Sequence, residues 1–193
     1  MSESPEPAAP GAPAARPRYQ RSSGGLIGAM LATLLAVLAF AAFRGLTRDN
    51  EPTPVRGVDY AASVRAAIED EKLSVLAPDR LPTGWTATSA AYTRGGSPSW
   101  HLGTLTGDRK YVGVEESLSD TDDVVEEHVD ANADPGQDVT IDGERWQTWT
   151  DSGGDYAVTR TIRGPDGSRQ TVLVVGSAPD AQVRQLAGSL TAR

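Results

Sequence analysis

The sequence has no cysteine in its 193 residues. This absence excludes disulfide bonds, zinc–thiolate sites, iron–sulfur clusters, thiol nucleophiles and a lipid anchor on cysteine. Histidine is scarce as well, because His101 and His128 are the only two. The chain also lacks the G-x-S-x-G, H-E-x-x-H, P-loop and dinucleotide-binding motifs. These gaps favour a protein that is not an enzyme and that carries no cofactor or metal.

Positive charge is in short supply in the C-terminal part of the chain. The net charge is -8, and six arginines against four carboxylates give residues 1–56 a charge of +2, which leaves -10 for residues 57–193. So acidic a surface repels phosphate backbones and anionic headgroups, which argues against nucleic-acid binding. Charge alone is compatible with a basic protein partner.

Long apolar runs are missing except at residues 24–43. This segment has no charged residue and a single hydroxyl group, on Thr33. As an α-helix it would be roughly 30 Å long, which is the thickness of the hydrocarbon core of a bilayer. We therefore predict one transmembrane helix at 24–43, with the lipid bilayer as its partner.

Two alternatives for this segment remain open. A signal peptidase could cleave at the small residues around Ala39–Ala41, although the apolar run is longer than that of a usual signal peptide. A stripe of small residues, Gly24, Gly28, Ala32 and Ala36, would allow a homodimer of the span. Small residues are common in any alanine-rich span, so we do not favour the dimer.

The charges that flank the span do not decide its orientation. Three arginines precede it and three follow it: Arg16, Arg18, Arg21, Arg44, Arg48 and Arg56. The positive-inside rule is therefore balanced. A short N-terminal tail kept in the cytoplasm is the commoner arrangement for a single N-terminal anchor. We predict a single-pass plasma-membrane protein with an extracytoplasmic C-terminal domain.

Composition divides the chain into four parts. Residues 1–23 form a tail rich in proline and alanine that cannot bury a core and is predicted to be disordered. The transmembrane helix at 24–43 follows, and residues 44–57 read as a linker. Residues 58–193 form the soluble acidic domain.

Hydrophobic periodicity within the domain predicts the element order α-βββ-α-ββββ-α. The predicted helices cover 58–72, 120–131 and 179–190, and the predicted strands cover 85–92, 100–106, 110–117, 137–141, 144–150, 155–163 and 168–175. Short glycine-containing turns join most consecutive strands, which therefore pair antiparallel. We predict an α+β fold with a largely antiparallel sheet of about seven strands and helices packed on one face.

Several short segments carry a family resemblance. They are Leu76–Pro78, Leu81–Trp85, Trp100–Gly103 and the pair Trp146-x-x-Trp149, all following the apolar span. Together they resemble an uncharacterised family of single-pass membrane proteins from actinobacteria, over roughly residues 20–190. The resemblance implies a membrane-tethered α+β domain of unknown function and no established activity. The element order alone is also similar to the PsbP-like fold of exported accessory proteins.

The histidines and carboxylates offer candidate chemistry. His101 and His128 could join carboxylates in a zinc site. However, His128 is predicted on the apolar face of a short helix and His101 lies in a strand, so packing or surface roles are favoured. The six carboxylates within 120–130 follow a helical period and not the spacing of a calcium loop. They indicate a solvated helix face, or a docking surface for a basic partner.

The tryptophans are the remaining informative residues. Both phenylalanines lie in the span, so tryptophan and tyrosine must supply much of the bulky core of the domain. Trp146 and Trp149 are three apart and should face opposite sides of one strand. If some tryptophans were exposed instead, they could form a partner or ligand surface with the acidic helix, made of Trp100, Trp146, Trp149, Asp122 and Glu126.

Three hypotheses for function follow. The leading one is a non-enzymatic, membrane-anchored extracytoplasmic module that binds a protein or another component of the cell envelope. The first alternative is a carrier for a small ligand, lipid or glycan, with a pocket between sheet and helices. The second is a hydrolase that uses His101 or His128.

Overall fold

The computed structural model describes residues 56–193 and six residues of the apolar run, namely Met30, Thr33, Leu34, Ala36, Val37 and Phe40, which are helical. The predicted tail, the rest of the predicted transmembrane helix and most of the predicted linker lie outside the described residues. Within the described residues, no helix has the length and apolar character needed to cross a membrane. The chain divides into two compact units, Met1–Thr53 and Pro54–Arg193.

The described residues of the second unit form three helices and ten strands. The helices are α1 (Ala61–Asp70), α2 (Thr121–His128) and α3 (Asp180–Gly188). The strands are β1 (Leu76–Pro78), β2 (Thr86–Thr93), β3 (Ser99–Leu105), β4 (Tyr111–Ser117), β5 (Asp134–Pro135), β6 (Val139–Ile141), β7 (Glu144–Thr150), β8 (Tyr156–Arg163), β9 (Arg169–Gly176) and β10 (Leu190–Ala192). The predicted α+β class and the three predicted helices and seven predicted strands are confirmed.

The short strands were not all predicted. The last predicted helix runs to Leu190, but α3 ends at Gly188 and Leu190 begins β10, which pairs antiparallel with β1. This two-stranded ribbon links the C-terminal residues to Leu76–Pro78. Asp134 and Pro135, which lie outside every predicted helix and strand, form β5 on the edge of β7.

The main sheet has the order β2-β3-β4-β9-β8-β7-β5, and β6 also pairs with β7. Its pairs are antiparallel, as predicted. The glycines predicted to turn the hairpins, Gly143, Gly154 and Gly167, have φ of 81°, 92° and 83°. Glycine adopts such values without the steric penalty that other residues meet.

One face of the sheet, here the front face, carries the larger core. Alternate residues of the central strands point to it, among them Trp100, Leu102, Val114 and Val174, each 0% exposed. Helices α1 and α3 and the β1–β10 ribbon pack on this side. The front face therefore has the covering that the sequence predicts.

The opposite face, here the back face, carries a smaller core under α2. Val124 and Val125 of this helix pack with Trp149, Leu173 and Val175. The prediction that helices cover one face only is therefore wrong. The physical reason lies in β9, whose consecutive residues are buried, because a strand with both faces apolar must be covered on both.

Candidate functional site

In the part of the chain that the structure describes, half of the back face is left uncovered. Helix α2 covers the part formed by β7, β8 and β9, while residues of β2 and β4 on the same side, such as Ser89, Ala91 and Tyr111, are exposed. We give the name open patch to eight back-face residues of β2, β3 and β4: Ser89, Ser99, His101, Gly103, Tyr111, Gly113, Glu115 and Ser117. They are mainly polar or small, which is unlike the core under α2.

A chain of hydrogen bonds crosses the open patch. The Ser89 hydroxyl is 2.8 Å from His101 Nε2, and His101 Nδ1 is 2.5 Å from Glu115 Oε1. Strand register brings the three together, since His101 lies opposite Glu115 on β4 and beside β2 on its other side. Because a carboxylate can only accept, Nδ1 donates to Glu115, and in the neutral imidazole Nε2 is left to accept the proton of the Ser89 hydroxyl.

The neighbours of His101 shift the pKa of its imidazole. The hydrogen bond that His101 donates to Glu115 raises the pKa of His101 above its usual 6.5, while partial burial acts in the opposite direction. The Glu115 side chain is only 14% exposed and that of His101 is 32% exposed. The carboxylate therefore fixes both the tautomer and the orientation of the ring.

Two facing glycines form the floor of the open patch. A methyl group on Gly103 would collide with Ser89 Oγ and lie 3.3 Å from both His101 Nε2 and the Tyr111 ring. A methyl group on Gly113, which lies opposite Gly103, would collide with the Tyr111 hydroxyl. The missing side chains thus leave the room that the hydrogen-bond chain and the tyrosine ring occupy.

Tyr111 lies across this floor as a neutral phenol. Burial against the sheet, followed by the charge of Glu115, raises its pKa to about 12. Tyr111 is nevertheless 37% exposed as a residue. At physiological pH its hydroxyl therefore remains protonated and able to donate a hydrogen bond.

An open pocket of about 390 Å³ lies between the open patch and the C-terminal end of α2. We call it the junction pocket. Its lining residues are Gly96, Ser97, Pro98, Ser99, Glu115, Glu116, Ser117, Leu118, Ser119, Glu127 and His128. Carboxylates and hydroxyls therefore dominate the lining, and no lysine or arginine contributes to it.

The structure corrects the predicted place of His128. Its side chain is 32% exposed and lines the junction pocket, whereas the buried face of α2 belongs to Val124 and Val125. Because α2 ends at His128, on the boundary of the covered half, the imidazole meets the pocket and not the sheet. In the part of the chain that the structure describes, no group of three or more His, Cys, Asp or Glu side chains is placed to hold a metal ion.

The residues of the predicted partner surface separate into two groups. Trp100, Trp146 and Trp149 are 0%, 2% and 8% exposed, so they belong to the cores and cannot form an exposed aromatic surface. Trp146 packs in the front core and Trp149 in the back core, which confirms that the two face opposite sides. Asp122 and Glu126 are exposed on α2.

Sequence reasoning singled out His101 but missed Ser89, Tyr111 and Glu115. Ser89 lies in β2 and the other two lie in β4, and no local motif joins them to His101 in β3. Once the register of β2, β3 and β4 is known, the three share one face with His101. Strand pairing was therefore the signal that could have found them.

Comparison with known families gives one assignment. The model of a family described as a protein of unknown function, DUF4245, matches residues 18–190. The chain belongs to this family. The DUF4245 match confirms the expected membership of an uncharacterised family. Among curated proteins, no relative matches.

Solved structures give two partial likenesses. One is a chain of the Pseudomonas aeruginosa MucA/MucB complex, which is 17% identical with a TM-score of 0.37 and is matched over 61% of this chain and 35% of that one. The other is a chain of MucB in complex with MucA(peri), 18% identical with a TM-score of 0.37, over 61% of this chain and 37% of that one. The DUF4245 chain therefore matches little more than a third of the length of either.

Proposed function

We propose that this DUF4245 protein is a membrane-tethered binding module whose domain lies outside the cytoplasm and receives a basic segment of an envelope protein. The junction pocket is the observation that carries the proposal. Glu115 and Glu127 line it, and among the described residues their ion-pair partners are the imidazoles of His101 and His128, with no lysine or arginine in the lining. A lysine or arginine side chain of a partner would supply the missing charge.

The size and surroundings of the pocket fit this occupant. About 390 Å³ accommodates one long side chain together with neighbouring backbone, and Ser99, Ser117 and Ser119 offer hydroxyls to hydrogen-bond it. On the adjoining helix, the exposed carboxylates of Asp122 and Glu126 extend the negative surface. Rim charges of this kind mainly raise the rate of association, and they do so most at low salt.

The filled cores support the binding module over the carrier hypothesis. A carrier needs an apolar cavity between sheet and helices. Trp100 and Trp146 occupy that space on the front face, where they are 0% and 2% exposed. A polar pocket open to solvent suits a charged side chain of a partner better than a lipid or another apolar ligand.

The proposed membrane anchor is inferred from the uncharged apolar segment at residues 24–43. A reporter that is active only outside the cytoplasm, fused after Arg193, tests it in a native-like host. We expect a full-length, membrane-bound and active fusion. A shortened, soluble and active product would mean that the span is a cleaved signal, and an inactive reporter would place the domain in the cytoplasm.

Charge reversal tests the pocket. Proteins crosslinked in cells to the wild-type chain should be lost from Glu127→Lys, because the substitution places a cation at the mouth of the pocket. Asp108→Lys is the matched control, since Asp108 lies in the β3–β4 turn, roughly 20 Å along the strands from the pocket. Equal recovery with both variants would contradict the proposed site.

A further inference from the structure

We propose that Ser89 is an activated nucleophile that accepts the acyl group of a carboxylic ester, with His101 as its general base and Glu115 as the residue that positions His101. This activity goes beyond the binding role of the junction pocket. It would give the DUF4245 domain a catalytic site in the middle of the open patch.

The order of the hydrogen bonds carries the proposal. A serine hydroxyl is a weak nucleophile until a neighbouring base can take its proton. His101 Nε2 is 2.8 Å from the Ser89 oxygen, and Glu115 holds Nδ1 on the far side of the ring at 2.5 Å. This is the connectivity of the serine–histidine–carboxylate triads that recur on unrelated folds, where the geometry and not the sequence position defines the site.

The sheet presents this serine to solvent. The register of β2 against β3 shifts between Ala87 and Ser89, and such a bulge re-aims the side chains beside it. Ser89 is exposed, while Gly103 opposite it leaves the gap that the hydroxyl occupies. An ester on a large or surface-bound molecule can therefore reach the hydroxyl without entering a narrow cleft.

A donor for the developing oxyanion lies on the same patch. The Tyr111 ring and Ser89 Oγ both border the space above Gly103. A protonated phenol is one of the side chains that stabilise the negative oxygen of a tetrahedral intermediate. Tyr111 is therefore the residue of the open patch that would take this role.

The reaction balances with water as the only co-reactant. The bond from Ser89 Oγ to the carbonyl carbon forms as the serine proton passes to His101 Nε2. The ester C–O bond then breaks, and the departing alkoxide takes that proton to leave as the alcohol. Water attacks the acyl-serine and gives a proton to His101, which returns it to Ser89 Oγ as the carboxylic acid leaves.

The test uses the full-length chain, with p-nitrophenyl acetate as the ester and a fluorophosphonate as the covalent probe. With the probe, a bond from Ser89 Oγ to phosphorus forms, fluoride leaves and the proton passes through His101 to solvent. We expect mass spectrometry to place the adduct on Ser89. Ser89→Ala should abolish labelling, and His101→Gln should slow it on the order of 100-fold or more, the usual contribution of a general base.

A hydroxyl on the same face of β2 provides the matched control. Thr93 is exposed, lies outside the junction pocket and has no bond to His101, so Thr93→Ala should label at the wild-type rate. Ser89 is exposed, so its replacement by alanine should keep the fold, which circular dichroism verifies. A folded wild-type chain that takes no probe and turns over no ester, or labelling that persists in Ser89→Ala, would overturn the proposal.

The pH profile separates a positioning role of Glu115 from a merely structural one. Only neutral imidazole can take the serine proton, so labelling should rise with pH through the pKa of His101. Glu115 and Tyr111 are the ionisable side chains that face this ring from β4, and the hydrogen bond that His101 donates to Glu115 is the largest contribution that raises the pKa of His101. Glu115→Gln should therefore slow labelling and move the midpoint to lower pH. An unchanged midpoint would contradict the role given to Glu115.

Discussion

A buried glutamine fastens the segment before β1 to the centre of the sheet. Gln170 is 0% exposed, accepts a hydrogen bond from the Ser74 N–H at 2.8 Å and donates to the Ser74 carbonyl at 3.1 Å. It also donates to Glu116 Oε2 at 2.8 Å, and the other oxygen of Glu116 accepts the Leu76 N–H at 2.9 Å. The replacement Gln170→Leu keeps the volume and removes all three bonds of Gln170.

The expected loss of stability follows from the groups left unpaired. Each orphaned backbone group at Ser74 costs roughly 1–3 kcal/mol, and the carboxyl of Glu116 costs more if it is charged. Burying the leucine returns about 1–2 kcal/mol. The net expectation is a free energy of unfolding lowered by about 3 kcal/mol, a large share of the roughly 5–15 kcal/mol of a usual domain.

The stability lost on replacing Gln170 should depend on pH, because Gln170 donates a hydrogen bond to the ionisable Glu116. Burial raises the pKa of Glu116 well above 4.5, and the bond from Gln170 is among the interactions that lower it. The native state therefore holds a proton that the unfolded state loses, so this group's contribution to stability falls as pH rises above 4.5. Removing Gln170 raises the native pKa further, so Gln170→Leu should lose more stability at about pH 8 than at about pH 4.

Urea unfolding at the two pH values measures the effect. Gln147→Leu is the matched control, because Gln147 is only half-buried on the back face, and it should change stability by about 0.5 kcal/mol or less. A Gln170→Leu chain as stable as wild type at high pH would refute the stabilising role assigned to the hydrogen bonds of Gln170.

Three further predictions concern packing and ionisation. Trp149→Ala should cost about 3–5 kcal/mol in urea unfolding, since it empties the centre of the back core. Gly176→Ala should cost about 1–3 kcal/mol, because the added methyl would collide with the backbone of β4, whereas Gly96→Ala meets no atom within 4 Å and should be neutral in the same assay. Burial first, and then the hydrogen bond to Asp70, raises the pKa of Tyr92 to about 12, so Asp70→Asn should lower it part of the way in an ultraviolet absorbance titration.

Local signals made most of the fold predictable. Glycine at the hairpin turns and alternating apolar residues indicate where strands begin and end. The seven strands predicted from them lie within two residues of the observed strand boundaries. The pairing of β4 with β9 was beyond such signals, because it joins segments about 60 residues apart, such as Val114 and Val174. The continuous apolar run in β9 could have predicted its burial on both faces, and hence the place of α2.

The candidate site was less predictable than the fold. Ser89 and Glu115 are ordinary surface residues in the sequence, and only strand register sets them beside His101. The helical period placed His128 on the apolar face of α2, but the helix ends over the junction pocket at that residue. Site geometry here depends on where elements end and how they pair, which periodicity does not encode.

Site-specific photocrosslinking in a native-like host tests the central claim most directly. A photoreactive amino acid replaces Ser117 on the wall of the junction pocket, and Asp108 at the distant turn serves as the reference position. We predict one specific crosslinked protein from position 117, attached through a lysine- or arginine-containing segment and lost when Glu127→Lys is added. The same crosslinks from both positions, or none from position 117, would contradict the junction pocket as a binding site.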